Sequence, residues 1–187
     1  MYKLCKTERS ANRQRQLELA LMEAMKTKHY DEISVSDLCD RMQVPRKSFY
    51  RYFSGKDGAL HGLIDHTLLE FEWNLDTNPK NGSKVRQQLE RFFRFWEQRS
   101  PLLDALERSG MGGALIERAI RQAIMESSSY VQHERIDRLQ LESTAMFGVC
   151  GLMSMVLQWH HEKSYLSVEQ MADIAFGIMT KPLLEKE

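Results

Sequence analysis

The sequence predicts an all-α protein of about nine helices, a small N-terminal helix-turn-helix head followed by a larger helical bundle. Three observations predict it. Apolar residues recur every three or four positions along most of the chain, and no segment alternates with the period of two that a half-buried strand needs. Helix starts and stops are written in the chain as Ser34 with Asp37, Pro45, Ser100-Pro101 and the glycine-rich SGMGG at 109–113. Charge is also polarised: residues 1–56 carry 12 Lys/Arg against 7 Asp/Glu (net +5), and residues 57–187 carry 14 against 19 (net −5), although the whole chain is neutral. One end is built to meet anions.

Leu17, Ala20, Leu21, Ala24 and Met25 stand at the spacing of one helical face, and the basic stretch 9–15 precedes or opens that helix. After KHYDEI, Ser34 is an N-cap with Asp37 three positions on, a capping box that starts a two-turn helix through Met42. Pro45 disfavours helix at Val44 and suits the first turn of a new one, so the chain bends there and restarts. In VPRKSFYRYFSGK, residues 44–56, Arg46, Lys47, Arg51 and Lys56 stand among four aromatics with no acidic residue. At ~100° per residue, Arg46, Lys47, Tyr50 and Arg51 share one side, and Phe49, Tyr52 and Phe53 lie on the other. A cationic outer side and an apolar inner side across a tight bend are the pattern of a helix-turn-helix. Without a carboxylate on the outer side, each cation is free to release counterions from a phosphate backbone.

A fourth helix carries Leu60, Leu63, Ile64, Thr67, Leu68 and Phe71 in register, and LDTNPKNGS at 75–83 reads as a loop. Helices are then predicted over 85–98, through Arg108, from about Ala114 to His133, from about Arg135 to His161, and over a last segment with Val168, Met171, Ala172, Ala175, Ile178 and Met179. The boundary between head and bundle is placed between residues 55 and 56, giving segments 1–55 and 56–187.

With 42% hydrophobic and 28% charged residues, the chain has the make-up of a globular protein rather than a disordered one. The polar opening lacks the features of a secretory signal, and the longest apolar run, Ala145–Leu157, falls short of the roughly 20 residues that cross a bilayer. The expectation is a cytoplasmic protein with no membrane partner. Cys5, Cys39 and Cys150 are odd in number and far apart, so reduced thiols are expected. His160-His161-Glu162 and His61, Asp65 and His66 show neither HExxH nor Cys/His spacing, and no metal or other cofactor is predicted. No nucleophile, base and orienting group with recognisable spacing appears, so the chain is not read as an enzyme. A helical enzyme is the less favoured rival.

The segment ISVSDLCDRMQVPRKSFYRYFSGKDGALHGLID, with a match over about residues 10–70, resembles the DNA-binding part of tetracycline-repressor-family (TetR/AcrR-like) transcription regulators. The features that carry the resemblance are the capped second helix, small Cys39, the FYRYF core and Lys56 at the start of the fourth helix. Two departures stand out: Gln43 sits where the family most often has glycine, and Pro45 with Lys47 replaces the usual serine and glycine. The resemblance implies a third helix in the major groove, with Arg46, Lys47 and Arg51 at base edges. It implies Ser34, Ser36, Ser48, Tyr50, Tyr52 and Lys56 as further DNA contacts, mainly to phosphates. It further implies a homodimer on a palindromic double-stranded operator, formed by the last two helices through Gly148, Gly151, Leu152, Met155, Met171, Ala175 and Ile178. Gly148 and Gly151 would permit close approach.

The implied function is ligand-responsive repression. A small hydrophobic effector is expected in the bundle, with Phe71, Phe92, Phe93, Trp96, Met111, Leu115, Met125, Tyr130, Phe147 and Trp159 as pocket candidates and Trp73 as a further one. The alternative is a coactivator or protein-interaction module on the same fold, which would require a damaged DNA face.

Overall fold

The structure, a computed structural model, describes residues 1–71, 82–130, 138–163 and 165–180, apart from the side chains of 127–130. The expected loop at 75–81, Trp73, the Tyr130 side chain and the predicted helix ends at His133 and Arg135 lie outside those residues.

Nine α-helices follow one another among the described residues, with one turn of 3-10 helix (Tyr30–Glu32) between the first two: α1 (Glu8–Met25), α2 (Val35–Arg41), α3 (Arg46–Tyr50), α4 (Lys56–Leu69), α5 (Gly82–Glu97), α6 (Ser100–Arg108), α7 (Gly112–Tyr130), α8 (Arg138–His161) and α9 (Val168–Thr180). The protein is all-α. Its nearest approach to β structure there is an isolated antiparallel bridge between Tyr2 and Phe53, which lays the N-terminal residues along the end of the head.

Each boundary has a local cause. Thr7 caps α1, so the basic residues Arg9, Arg13 and Arg15 lie inside the helix. Leu17, Leu21, Ala24 and Met25 are buried, as their spacing predicts. Pro101 stands in the first turn of α6, where its missing N–H has no helical partner to lose. At the other end Gly110 takes φ +66°, Gly110 N–H donates to Glu107 O, and Met111 N–H donates to Leu106 O. These two bonds form a Schellman motif that ends α6. α7 begins at Gly112, inside the stretch expected to be a link.

The buried core is continuous from α1 to α9. α1 packs on α2, α4 and α6, α4 on α7, α5 on α9, and α7 along α8. Aromatic rings fill the bundle edge to face: Phe71 with Phe92 at 5.7 Å, Phe92 with Phe93 at 5.4 Å, and Phe93 with Trp159 at 5.8 Å between centroids.

α8 has the length and composition of a membrane span, which the interrupted apolar run did not predict; only 17% of its most apolar window is buried. It lies along α7 and leaves Met146 and Phe147 exposed.

Candidate nucleic-acid interface

α2, the turn after it and α3 form the candidate reading head. Ser34 Oγ accepts from Asp37 N–H at 3.1 Å, and the Asp37 carboxylate accepts from Ser34 N–H at 2.8 Å, the reciprocal capping box expected from the sequence. These bonds hold the Asp37 carboxyl below the usual carboxylate range. At the C-terminus of α2, Gln43 N–H donates to Asp40 O and Val44 N–H to Cys39 O at 2.9 Å. This is a second Schellman motif, and its left-handed position is occupied by Gln43 at φ +52°. A non-glycine residue there costs about 1–2 kcal/mol. Val44 then packs on the core and Pro45 opens α3 with φ −62° and ψ 143°.

α3 separates its two sides as the sequence implies. Phe49 and Phe53 are fully buried, 5.1 Å apart between ring centroids, and fasten the helix from beneath. Arg46, Lys47, Tyr50 and Arg51 are exposed. Lys47 and Arg51 make no ion pair among the described residues. The Arg46 guanidinium donates to Ser36 Oγ, so this pair links the first turns of the two helices. Ser48 is half-buried at the rim.

Two expected contacts stand differently. Tyr52 is only 8% exposed and its carbonyl accepts from Lys3 N–H at 2.8 Å, so its ring lies with the core side of α3. The Lys56 ammonium donates to Tyr30 O at 2.7 Å and stands 4.2 Å from the centroid of the Tyr30 ring. It fastens the loop after α1 to the start of α4.

Tyr30 is the residue that sequence reasoning missed. Its hydroxyl donates to Asp57 at 2.6 Å, and its N–H donates to buried Ser109 Oγ at 3.1 Å. Burial and the Asp57 carboxylate push its phenol strongly upward, so it is held protonated as a donor. Arg108 donates to the carbonyls of Met25 and Lys26 at the end of α1. The head is thus tied to the end of α6 by two consecutive residues, 108 and 109. A second tie runs from Arg15 through Glu70 to Arg99, at 2.7 and 2.6 Å. A third is buried Glu18, whose Oε2 lies 2.8 Å from His66 Nδ1.

The expected pocket residues divide. Phe92, Phe93, Trp96 and Leu115 are packed core, Phe71, Met111 and Trp159 are half-buried against it, and Trp159 Nε1–H donates to Leu166 O. Met125 is 76% and Phe147 81% exposed, so neither faces the interior of the chain's bundle. The expected dimer residues divide likewise. A Cβ at Gly148 or Gly151 would meet nothing, and Ile178 is 45% exposed; Met171 and Ala175 are buried, on the helix that packs against α5. Leu152 and Met155 are half-buried.

A capped short helix, a tight turn and a second short helix with a cationic outer side define a helix-turn-helix DNA-binding regulator. Residues 20–61 match the family described as bacterial regulatory proteins, tetR family. Over that segment, which spans the end of α1 to the first turns of α4, the chain is similar to TetR/AcrR-family transcriptional regulators. No curated protein matches it. Among solved structures it is similar to a tetR-family transcriptional regulator from Streptomyces coelicolor, at 18% identity and TM-score 0.58, covering 89% of this chain and 78% of that one. It is also similar to the dihydroxyacetone kinase operon activator DhaS, at 13% identity and TM-score 0.55, covering 89% and 93%. A third, the fatty acid degradation regulator FadR from Bacillus halodurans, has 12% identity and TM-score 0.53, covering 98% and 100%. At these identities the likenesses concern the fold.

Proposed function

We propose that the chain is a cytoplasmic, ligand-responsive repressor that binds a palindromic operator as a homodimer. The observation that carries this reading is the outer side of α3, where Arg46, Lys47 and Arg51 are exposed with no carboxylate among residues 44–56. Arg and Lys donate to guanine O6 and N7, and a good bidentate pair discriminates by ~1–3 kcal/mol. In this reading Ser34, Ser36, Ser48 and Tyr50 position the head on phosphates. Lys56 and Tyr52 contribute mainly by shaping it, given their partners and burial.

The dimer is supported by what α8 and α9 leave uncovered: Met146, Phe147, Ile174, Ile178 and Met179 are all more than 40% exposed. A second copy related by a two-fold axis would cover these residues, with Gly148 and Gly151 allowing close approach. Two heads would then sit on half-sites about one turn of DNA, ~34–36 Å, apart. Residues 1–55 act as the head and 56–187 as the effector and dimer part. An effector in the bundle would shift α6 or α4 and reach the head through the ties at Arg108, Ser109 and Glu70. It shifts the equilibrium only by its differential affinity for the two arrangements.

Selecting genomic fragments with the purified chain and footprinting them tests the proposal. Protected palindromes with half-sites about one turn apart are expected. A coactivator that has lost DNA binding would protect nothing.

A further inference from the structure

The sequence gives no reason to join α6 to the end of α8, yet the fold brings four chemistry-bearing side chains together there. His160 Nε2 lies 2.9 Å from Asp104 Oδ1 and 3.8 Å from Glu107 Oε2, and the ligand atoms of these three residues all fall within 4.8 Å of one another. His161 Nδ1 bonds the other oxygen of Glu107. Asp104 and Glu107 stand three apart on α6, so their like charges share one face. Among the described residues the ion partners of both carboxylates are histidines alone. Arg108, the neighbouring cation, is turned to the end of α1.

Two imidazoles and two carboxylates are a donor set suited to a borderline divalent transition metal. The spacing agrees with this chemistry. Ligand bonds of ~2.0–2.2 Å at tetrahedral or octahedral angles put neighbouring ligand atoms ~2.8–3.6 Å apart; the observed 2.9 Å lies within that range, and the 3.8 Å pair and the remaining pair, within 4.8 Å, need only a small side-chain adjustment to reach it. Glu107, His160 and His161 also line a groove of about 400 Å³, walled by Gly112, Ile116, Ser154 and Leu157, where water would complete the coordination.

We propose that Asp104, Glu107 and His160, supported by His161, form a binding site for a divalent transition-metal ion that locks the C-terminal end of α6 to α8. The site has a mechanical consequence, because Glu107 is followed directly by the two residues that hold the head. Fixing Glu107 fixes Arg108, on the carbonyls of Met25 and Lys26, and Ser109, on Tyr30 N–H. Metal occupancy therefore changes the freedom of the head relative to the bundle. This second half rests on the DNA-binding reading; the site itself does not.

The test uses the full chain stripped of metal, titrated with Co²⁺ by visible absorption and with Zn²⁺ by calorimetry. One ion per chain is expected, with a spectrum lacking thiolate charge transfer. Binding should weaken at least about tenfold in His160→Ala and in Glu107→Gln and remain in His61→Ala. Circular dichroism of the metal-free variants verifies that they fold. Absence of binding, or binding that survives both substitutions, overturns the site. Affinity for a mixed-sequence duplex is then compared with and without Zn²⁺ in the wild type and in His160→Ala. A Zn²⁺-dependent change in the wild type alone supports the coupling. If Zn²⁺ binds at the site and duplex affinity does not respond, the coupling is overturned. A chain that binds Zn²⁺ but no duplex at all refutes the DNA-binding reading instead.

Discussion

Replacing Gly62 by alanine separates two opposed contributions at the joint between head and bundle. In mid-helix, Gly→Ala ordinarily stabilises by about 0.5–1 kcal/mol, because glycine loses more backbone freedom on folding. Here the added Cβ would stand 2.6 Å from Glu18 Oε1 and 3.3 Å from its Cδ. A relaxed carbon–oxygen contact is ~3.3 Å or more, so the carboxylate must retreat by ~0.7 Å. It has little room, being fully buried and held through Oε2 by His66 at 2.8 Å and Arg15 at 3.4 Å. Overpacking of this kind costs about 1–3 kcal/mol. Gly62→Ala should therefore leave the wild type unchanged or up to about 2 kcal/mol less stable. In a Glu18→Ala background the obstacle is gone, and the same change should stabilise by about 0.5–1 kcal/mol. Urea unfolding of the four proteins measures the coupling. Equal stabilisation by Gly62→Ala in both backgrounds would refute the packing argument.

Three further outcomes follow from the same geometry. Gln43→Gly removes the left-handed strain at φ +52° and should raise stability by up to about 1 kcal/mol, whereas Gln43→Ala should not; thermal melts distinguish them. Gly151→Glu on the exposed side of α8 should convert the proposed dimer, of twice 21.9 kDa in the wild type, to a folded monomer of 21.9 kDa in sedimentation; an unchanged dimer mass would place the interface elsewhere. Because Ser34 holds the Asp37 carboxyl below its ordinary value, its contribution is present above the unfolded value near pH 4 and lost as pH falls through the depressed one. The stability difference between wild type and Asp37→Asn should thus be steady at neutral pH and vanish in acid, as melts across that range would record.

What the sequence made legible was whatever depends on neighbours along the chain. Ser34 and Asp37 are three apart and the α1 stripe repeats every three or four positions, and both have the predicted form in the structure; Pro45 marks the bend as expected but stands one position before α3 as its extended N-cap rather than in its first turn. Tyr30 and Lys56 were illegible as a joint because their partners lie 26 to 79 positions away. His160 and His161 looked unfit for metal on their own helix, and their carboxylates come from α6, 53 to 56 positions earlier. On α9 periodicity located the apolar residues but not their coverings. Met171 and Ala175 lie within the bundle, while Ile174 and Ile178, apolar as well, face out. Tyr52 follows the same logic, since a tyrosine in a basic segment suits a phosphate or a core and only packing decides.

The most direct measurement of the central claim is the salt dependence of binding to a mixed-sequence duplex of about 30 base pairs, roughly three turns, for wild type and for Lys47→Ala/Arg51→Ala. A mixed-sequence duplex offers Lys47 and Arg51 no operator bases to read, so both cations fall on phosphates there; each lost phosphate contact lowers the slope of log affinity against log salt by about 0.9, and losing two per head should flatten the proposed dimer's slope by roughly 3 to 4. A double variant that folds, dimerises and keeps the wild-type slope and affinity would contradict the assignment of α3 as the DNA-reading helix.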